Sequence, residues 1–488
     1  MFKTIFRFFT TMLSISMVTI CMPAMGFSQS NEFRAGASMS NISPPLGEEV
    51  VGNFHRPIAD YIHDQLHARS LVLDDGKQKL AIVILDNIGT SREVLETAKS
   101  IIENKMGIPR SHILIAATHT HSAISAQKTG SQRSGYHYGE TLDAYQRFLA
   151  KRIADGVQTA IGNLEPARIG WGSVDVPEHV FNRRWIMKEP VNNPLGFQDQ
   201  ARMNPGVANP NAIEPAGPTD PEMSFLAVET LEGRPISLLG NYSLHYVGGV
   251  PNGHISADYF AVFADRVQEL LEADRQHPPF VGMMSNGTSG DINNINWPGP
   301  AGPRHGPYEK MTIVAHDLAQ KVVNEYQNIQ FQNWVALDAK STDLPLKVRR
   351  ASPELLENVK KIEARPESDP PLFHSLEKIY ASKVLQMETE WPDEILIPLQ
   401  CLKIGNLGIA AIPFEVFAET GLEIKDKSPF DDAFTIELAN GTYGYLPTPE
   451  QHEVGGYETW LTTNKVEKGA TIKIVDTLMD LFTDLKSE

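Results

Sequence analysis

The stretch "KLAIVILDNIGTSREVLETAKSIIENKMGIPRSHILIAATHTH", residues 79–121, decides the fold class. "KLAIVILD" (79–86) is a continuous apolar run, the signature of a strand buried on both faces. Thr90 or Ser91 can cap the segment that follows, "REVLETAKSIIENKM", which has helical periodicity and stops at Gly107. "HILIAATHTH" is a second apolar strand. Strand, helix and strand with short connections make a βαβ unit with parallel strands. His119 and His121 therefore fall at the carboxyl end of a parallel strand, where open α/β sheets place their ligands. Residues two apart on a strand point the same way, so both imidazoles can address one centre.

The rest of the chain continues the pattern. A helix is expected over about 142–162, then a strand in "ARIGWGSVDV" and a Pro/Asn-rich loop over 186–220. "MSFLAVETLEGRPISLLGNYSLHYVGG" reads as a hairpin turning at Glu232-Gly233, with its second strand running into His245. "ADYFAVFADRVQELLEA" is an amphipathic helix, and "PFVGMMSNGTSGDINNINWPG" is a strand followed by a Gly/Asn-rich loop. Helices follow near 308–326, 352–364 and 374–390. "EILIPLQCLKIGNLGIAAIPFE" is a strand pair running into Glu415. The expectation is an α/β fold of mixed sheets with flanking helices, in one domain over residues 27–488.

The 43 basic and 60 acidic residues leave a formal charge of -17, which argues against non-specific nucleic-acid binding. The N-terminus, "MFKTIFRFFTTMLSISMVTICMPAMGFSQS", places Lys3 and Arg7 before an apolar run and small residues around Gly26. That is a secretory signal pattern over residues 1–26, which implies a periplasmic or secreted mature protein. No later stretch is long and apolar enough to span a bilayer. Once Cys21 leaves with the signal, Cys401 is alone, so any metal must be held by His and carboxylate. His119 and His245, with Glu415 at the end of "AIPFE", would make a catalytic zinc site if their strand ends converge. Tyr443 and Tyr445 lie at another such end, in "NGTYGY".

"ATHTHSA", "NRR", "SLHY", "NGTSGDINN", "IPFE" and "GYLPTPEQHEVGGYE" occur in the order seen in the neutral ceramidase family. "GASMSNISPPLG" also resembles that family's start, so the resemblance covers nearly the whole mature chain. It implies a ceramidase-like catalytic domain and one Zn2+ per chain. The ligands implied are His119, His245, Glu415 and Tyr445. His121 would serve the outer sphere or the substrate, Arg183 would contact substrate, and Tyr457 would be an electrophilic stabiliser. Asp291, in the glycine-aspartate motif, joins the catalytic set.

Two departures shape the functional expectation. The family's Gly-Asp-Val-Ser-Pro-Asn motif reads Gly290-Asp-Ile-Asn-Asn-Ile295 here, so Asn293 stands at the position of the serine. The chain also stops soon after the Tyr motif, without the C-terminal β-domain of many ceramidases. One kind of ceramidase-like protein from marine bacterial ulvan-degrading systems resembles this chain in being short, secreted and single-domain. That resemblance implies a metal-dependent dehydratase, a lyase acting on the non-reducing uronic acid of oligosaccharides. There zinc would stabilise enolate-like charge, while His121 or Tyr457 moves the proton and Arg183 assists. The alternative is a zinc amidase acting on ceramide or another N-acyl lipid. A non-catalytic carbohydrate-binding protein is the second alternative, which the retention of all four ligands disfavours. Trp185, Trp297 and Trp460 are candidates for stacking on sugar rings, although ordinary packing explains each singly.

Overall fold

In the computed structural model, Lys79–Leu85 and Ile113–Ala117 lie parallel, with Ala81 opposite Ile113 and Leu85 opposite Ala117. The helix Arg92–Met106 connects them. It ends at Gly107, whose φ of 72° is left-handed and whose N–H donates to the Glu103 carbonyl. Glycine adopts that conformation without a Cβ penalty. The structure describes residues 1, 32–52, 56–124, 126, 139, 141–300 and 302–487. The expected leader lies outside them, apart from Met1. Glu32–Glu488 form one compact unit.

The βαβ unit is one end of an eight-stranded mixed sheet. Its spatial order is Val281–Asn286, Pro235–Tyr242, Glu222–Thr230, Glu165–Asp175, Arg34–Asn41, His67–Asp74, Lys79–Leu85 and Ile113–Ala117. Only the two outermost pairs are parallel; the five pairings between them are antiparallel. A second sheet has the order Leu337–Lys347, Glu394–Ile404, Leu407–Ile412 and Asp432–Glu437, with its last pair parallel.

The two sheets share a core in which Leu71, Ile82, Leu114, Leu226 and Leu239 meet Leu402, Ile409 and Phe434. Removing each such side chain from water stabilises the fold by about 1.5–3 kcal/mol. Helices cover both outer faces. Arg92–Met106 and Ala144–Gly162 pack on one half of the large sheet. Asp258–Leu270 and Glu309–Tyr326 pack on the other half. Pro353–Glu363, Glu377–Glu390 and Ala470–Ser487 cover the second sheet. Four layers (helices, sheet, sheet, helices) explain why the core strands read as unbroken apolar runs: neither face meets water.

The arrangement also decides where the strand ends go. Five antiparallel steps separate Lys79–Leu85 from Pro235–Tyr242, so in a flat sheet their carboxyl ends would point opposite ways. Twist of about 20–25° per step accumulates to more than 90° across those strands. The edge strand Val281–Asn286 comes back against Ile113–Ala117. Asn286 Nδ2 donates to the carbonyls of both Thr118 (3.4 Å) and His245 (3.3 Å), tying the two ends together.

One expectation is corrected. The stretch 186–220 is not wholly loop: Arg184–Asn192, Gln198–Met203 and Ala212–Pro215 form a three-stranded antiparallel sheet. Its alternation is short and carried by polar residues, as in Gln198–Met203, where Asp199 and Ala201 are buried between exposed neighbours. Apolar periodicity has little to register there. Among the described residues, no helix is long and apolar enough to cross a membrane.

Candidate metal centre

His119 follows its strand by two residues and holds a left-handed backbone, φ 73°, uncommon for a residue with a side chain. Its N–H donates to the Asn87 carbonyl at 2.9 Å. Its ring nitrogen Nδ1 lies 2.6 Å from the Ile88 carbonyl oxygen. A carbonyl only accepts, so Nδ1 carries the proton and Nε2 is bare. The same logic applies to His245, whose Nδ1 donates to the Ser289 carbonyl at 3.0 Å. The two bare Nε2 atoms then face each other at 3.0 Å. Neither can donate to the other, and both rings are buried. Burial, followed by the neighbouring His119 and Arg183, holds the His245 imidazole far below its usual range, hence neutral.

Glu415 completes the cluster. Its Oε2 lies 3.3 Å from His119 Nε2 and 3.6 Å from His245 Nε2. That oxygen is buried and has no hydrogen-bond partner. Glu415 and Tyr445 are paired across a short parallel bridge, so their side chains share a side. The Tyr445 hydroxyl is hydrogen-bonded to Glu415 and accepts from Arg183 Nη2 at 3.0 Å. His121 brings its Nε2 to 3.2 Å from His119 Nε2, and its ring stacks on Tyr246 with centroids 3.9 Å apart. Two facing imidazole lone pairs beside an orphaned carboxylate oxygen are what a divalent cation satisfies. His119, His121 and His245 could hold a metal ion together. The donor set fits a metal with nitrogen and oxygen ligands.

The remaining predicted residues take three kinds of place. Arg183 donates Nε to Glu458 Oε1 at 2.9 Å, while Arg184 donates Nη1 to Glu458 Oε2 at 2.7 Å. All three side chains are buried. Burial would lower the Arg183 pKa, but Tyr445 and Glu458 outweigh it and keep the guanidinium charged. Tyr457 packs edge-on against Tyr445, centroids 5.6 Å apart, and is hydrogen-bonded to Tyr380.

Asp291 turns its carboxylate to partners other than the histidines. Its carboxylate accepts from the Ala418 N–H at 2.9 Å and from Asn182 Nδ2 at 2.7 Å. Its carbonyl accepts from the Arg183 N–H at 2.8 Å. It therefore braces the start of the helix Ala418–Lys427 and the backbone of Arg183. Burial pushes its carboxyl up to about 7.

Asn293 spends its amide on structure. Nδ2 donates to Asn204 Oδ1 at 3.0 Å, and Oδ1 accepts the Ile295 N–H at 2.9 Å. Trp185 and Trp297 are buried together in a small cluster with Met187. Trp460 donates Nε1 to Asp199 at 2.7 Å. The ordinary packing role accounts for Trp185 and Trp297, which have little face left for a sugar.

Glu437 and Glu458 escaped the sequence reading. Each is a fully buried carboxylate. Glu437 ends the apolar run "FTIE" as Glu415 ends "AIPFE", and that parallel was the available signal. Burial raises the Glu437 carboxyl well above its usual range.

Gly290 is where two segments of the site nearly touch. A Cβ there would lie 2.5 Å from the Glu415 carbonyl oxygen. Gly290→Ala is therefore expected to destabilise the protein by about 1–3 kcal/mol, the usual cost of overpacking. Denaturant unfolding checks this; a midpoint equal to the parent's would show that the backbone yields freely.

A mixed α/β fold thus carries a His/Glu/Tyr donor cluster where the parallel pairs of its two sheets end. Residues 33–306 match the N-terminal domain model of the neutral/alkaline non-lysosomal ceramidases, and the chain belongs to that family, a family of enzymes. In structure it is similar to a neutral ceramidase from Pseudomonas aeruginosa, with a TM-score of 0.67 and 17% identity. That match covers 93% of this chain and 75% of the other. A ceramidase complexed with C2 matches with the same score, identity and coverage.

Proposed function

We propose that the chain is a secreted, zinc-dependent hydrolase acting on the amide bond of ceramide or a related N-acyl lipid. The observation that carries this reading is the pair of bare Nε2 atoms of His119 and His245, closed by the orphaned Oε2 of Glu415. Family membership supports amide hydrolysis. His119, His245, Glu415 and Tyr445 would hold the ion. A bound zinc supplies Lewis acidity toward a carbonyl and lowers the pKa of a water it carries.

The chain's own residues supply the rest. Arg183, kept charged by Glu458, steadies the Tyr445 hydroxyl. The Tyr246 stack fixes the plane of the His121 ring, leaving its Nε2 at the cluster to accept a proton and return it to the departing amine. Tyr457, whose ring packs against Tyr445, would donate to developing oxyanion charge.

A second reading is favoured by Asn293. The family's serine hydroxyl is missing, and the amide in its place is engaged on both atoms. Elimination of water next to a uronate carboxylate needs no hydroxyl nucleophile. A dehydratase acting on ulvan-type oligosaccharides therefore remains the competing activity, with His121 and Tyr457 as its proton-transfer groups.

One experiment separates the two. Zinc-loaded protein is offered a labelled N-acyl sphingosine and, in parallel, a panel of oligosaccharides with saturated uronic ends. Fatty-acid release is the expected result, abolished by a strong chelator and restored by zinc. No release, together with loss of one water and new ultraviolet absorbance from an oligosaccharide, would overturn the amidase reading in favour of the dehydratase.

A further inference from the structure

Glu437 sits behind the donor cluster and touches none of the metal-facing nitrogens. Its Oε1 accepts the Ser289 hydroxyl at 2.7 Å. Its Oε2 accepts the Val416 N–H at 2.7 Å and lies 3.3 Å from the Ser289 N–H. Of the two segments it joins, one carries the Glu415 side chain and the other holds the ring of His245. The Ser289 carbonyl fixes the His245 ring by taking its Nδ1–H. Val416 directly follows Glu415. The Gly290 N–H donates to the Val416 carbonyl at 2.8 Å, so the same two segments are stitched once by backbone and again by this carboxylate.

From this geometry we infer that Glu437 is a positioning residue, a clamp that sets the spacing between the His245 ring and the Glu415 carboxylate. The inference rests on the metal-site reading above. Ordinary core packing would not require a carboxylate here. An apolar side chain of similar size would fill the space more cheaply, because a buried polar group costs free energy unless its partners are in place. What the carboxylate supplies is a bidentate acceptor holding one hydroxyl and two N–H groups from two chain segments. Outer partners of metal ligands typically tune affinity by about 10–100-fold. The clamp reaches His245 through Ser289 and Glu415 through the backbone, so its loss would act on two ligands together.

The test measures metal binding directly, apart from activity. Full-chain parent, Glu437→Gln, Glu437→Leu and Ser289→Ala are titrated with Zn2+ against a chromophoric chelator, and with Co2+ for the ligand-field spectrum. Glutamine keeps the shape and can accept two N–H groups while donating to the Ser289 hydroxyl. E437Q is therefore expected to bind close to the parent. E437L is expected to lose about 10–100-fold in affinity and to change the Co2+ spectrum. S289A, which removes only the hydroxyl bond, should lose about tenfold, and it carries the test if E437L does not fold. A purely structural role would lower the melting temperature of E437L while leaving the affinity and spectrum of its folded form unchanged, and that result would overturn the proposal. Parent-like binding by S289A would also overturn it. A parent that takes up neither ion fails the metal-site reading itself, and the proposal with it.

Discussion

His245→Ala is expected to abolish tight metal binding and to lower turnover by on the order of 10³-fold or more. His245 is the fully buried member of the facing pair, and its Nε2 has no role beyond the cluster. Removing it leaves His119 Nε2 and Glu415 Oε2 to hold an ion with the weaker help of Tyr445. A metal acting as Lewis acid is worth several kcal/mol of transition-state stabilisation, and each 1.36 kcal/mol is tenfold in rate. Metal content of the purified variant, measured beside turnover, checks this. Full metal occupancy with activity within tenfold of the parent would remove His245 from the site. Some stability is also expected to be lost, because the ring leaves a cavity. Denaturant unfolding in the presence of chelator separates that loss from the loss of metal.

The second large effect is on stability. Glu458→Gln leaves Arg183 and Arg184, both buried, without the carboxylate that joins them. Two guanidinium groups would then share a buried volume with only neutral acceptors. Breaking a buried pair by removing one partner costs about 3–5 kcal/mol, because the remaining charge is uncompensated. E458Q should therefore unfold at clearly lower denaturant concentration than the parent. It should also lose activity, since Arg183 steadies the Tyr445 hydroxyl. A stability change of less than about 1 kcal/mol, the scale of an exposed ion pair, would mean that the network gains little from its charge. Replacing Glu458, Arg183 and Arg184 together by apolar residues is expected to cost less stability than E458Q alone, because no charge is stranded.

Much of the fold was legible because its strands are buried on both sides. The runs at 79–86 and 112–117, and the hairpins at 223–242 and 394–412, are apolar enough to announce themselves. Six of the helices were legible by period, whereas Ala418–Lys427 and Ala470–Ser487 went unread. The small sheet over Arg184–Pro215 was not, because its strands are short and polar and cover little core. Arg34–Asn41 and His67–Asp74 also went unread as strands; serine and arginine interrupt their apolar runs.

The site divides along the same line. The sequence by itself determined the candidate donors: histidines and glutamates at strand ends are visible as polar stops on apolar runs. It also shows Asn293 at the position where the motif of the family it resembles has a serine. Convergence was decided only in three dimensions. Five antiparallel steps lie between the strands that deliver His119 and His245, yet in the twisted sheet their ring Nε2 atoms come within 3.0 Å. Tautomers, too, belong to the fold, because Ile88 and Ser289 offer carbonyls that only the folded chain places against the rings. Glu437 and Glu458 acquired their roles last of all. A buried carboxylate is defined by the donors packed around it, and Ser289 lies 148 residues from Glu437 along the chain as Arg183 lies 275 from Glu458.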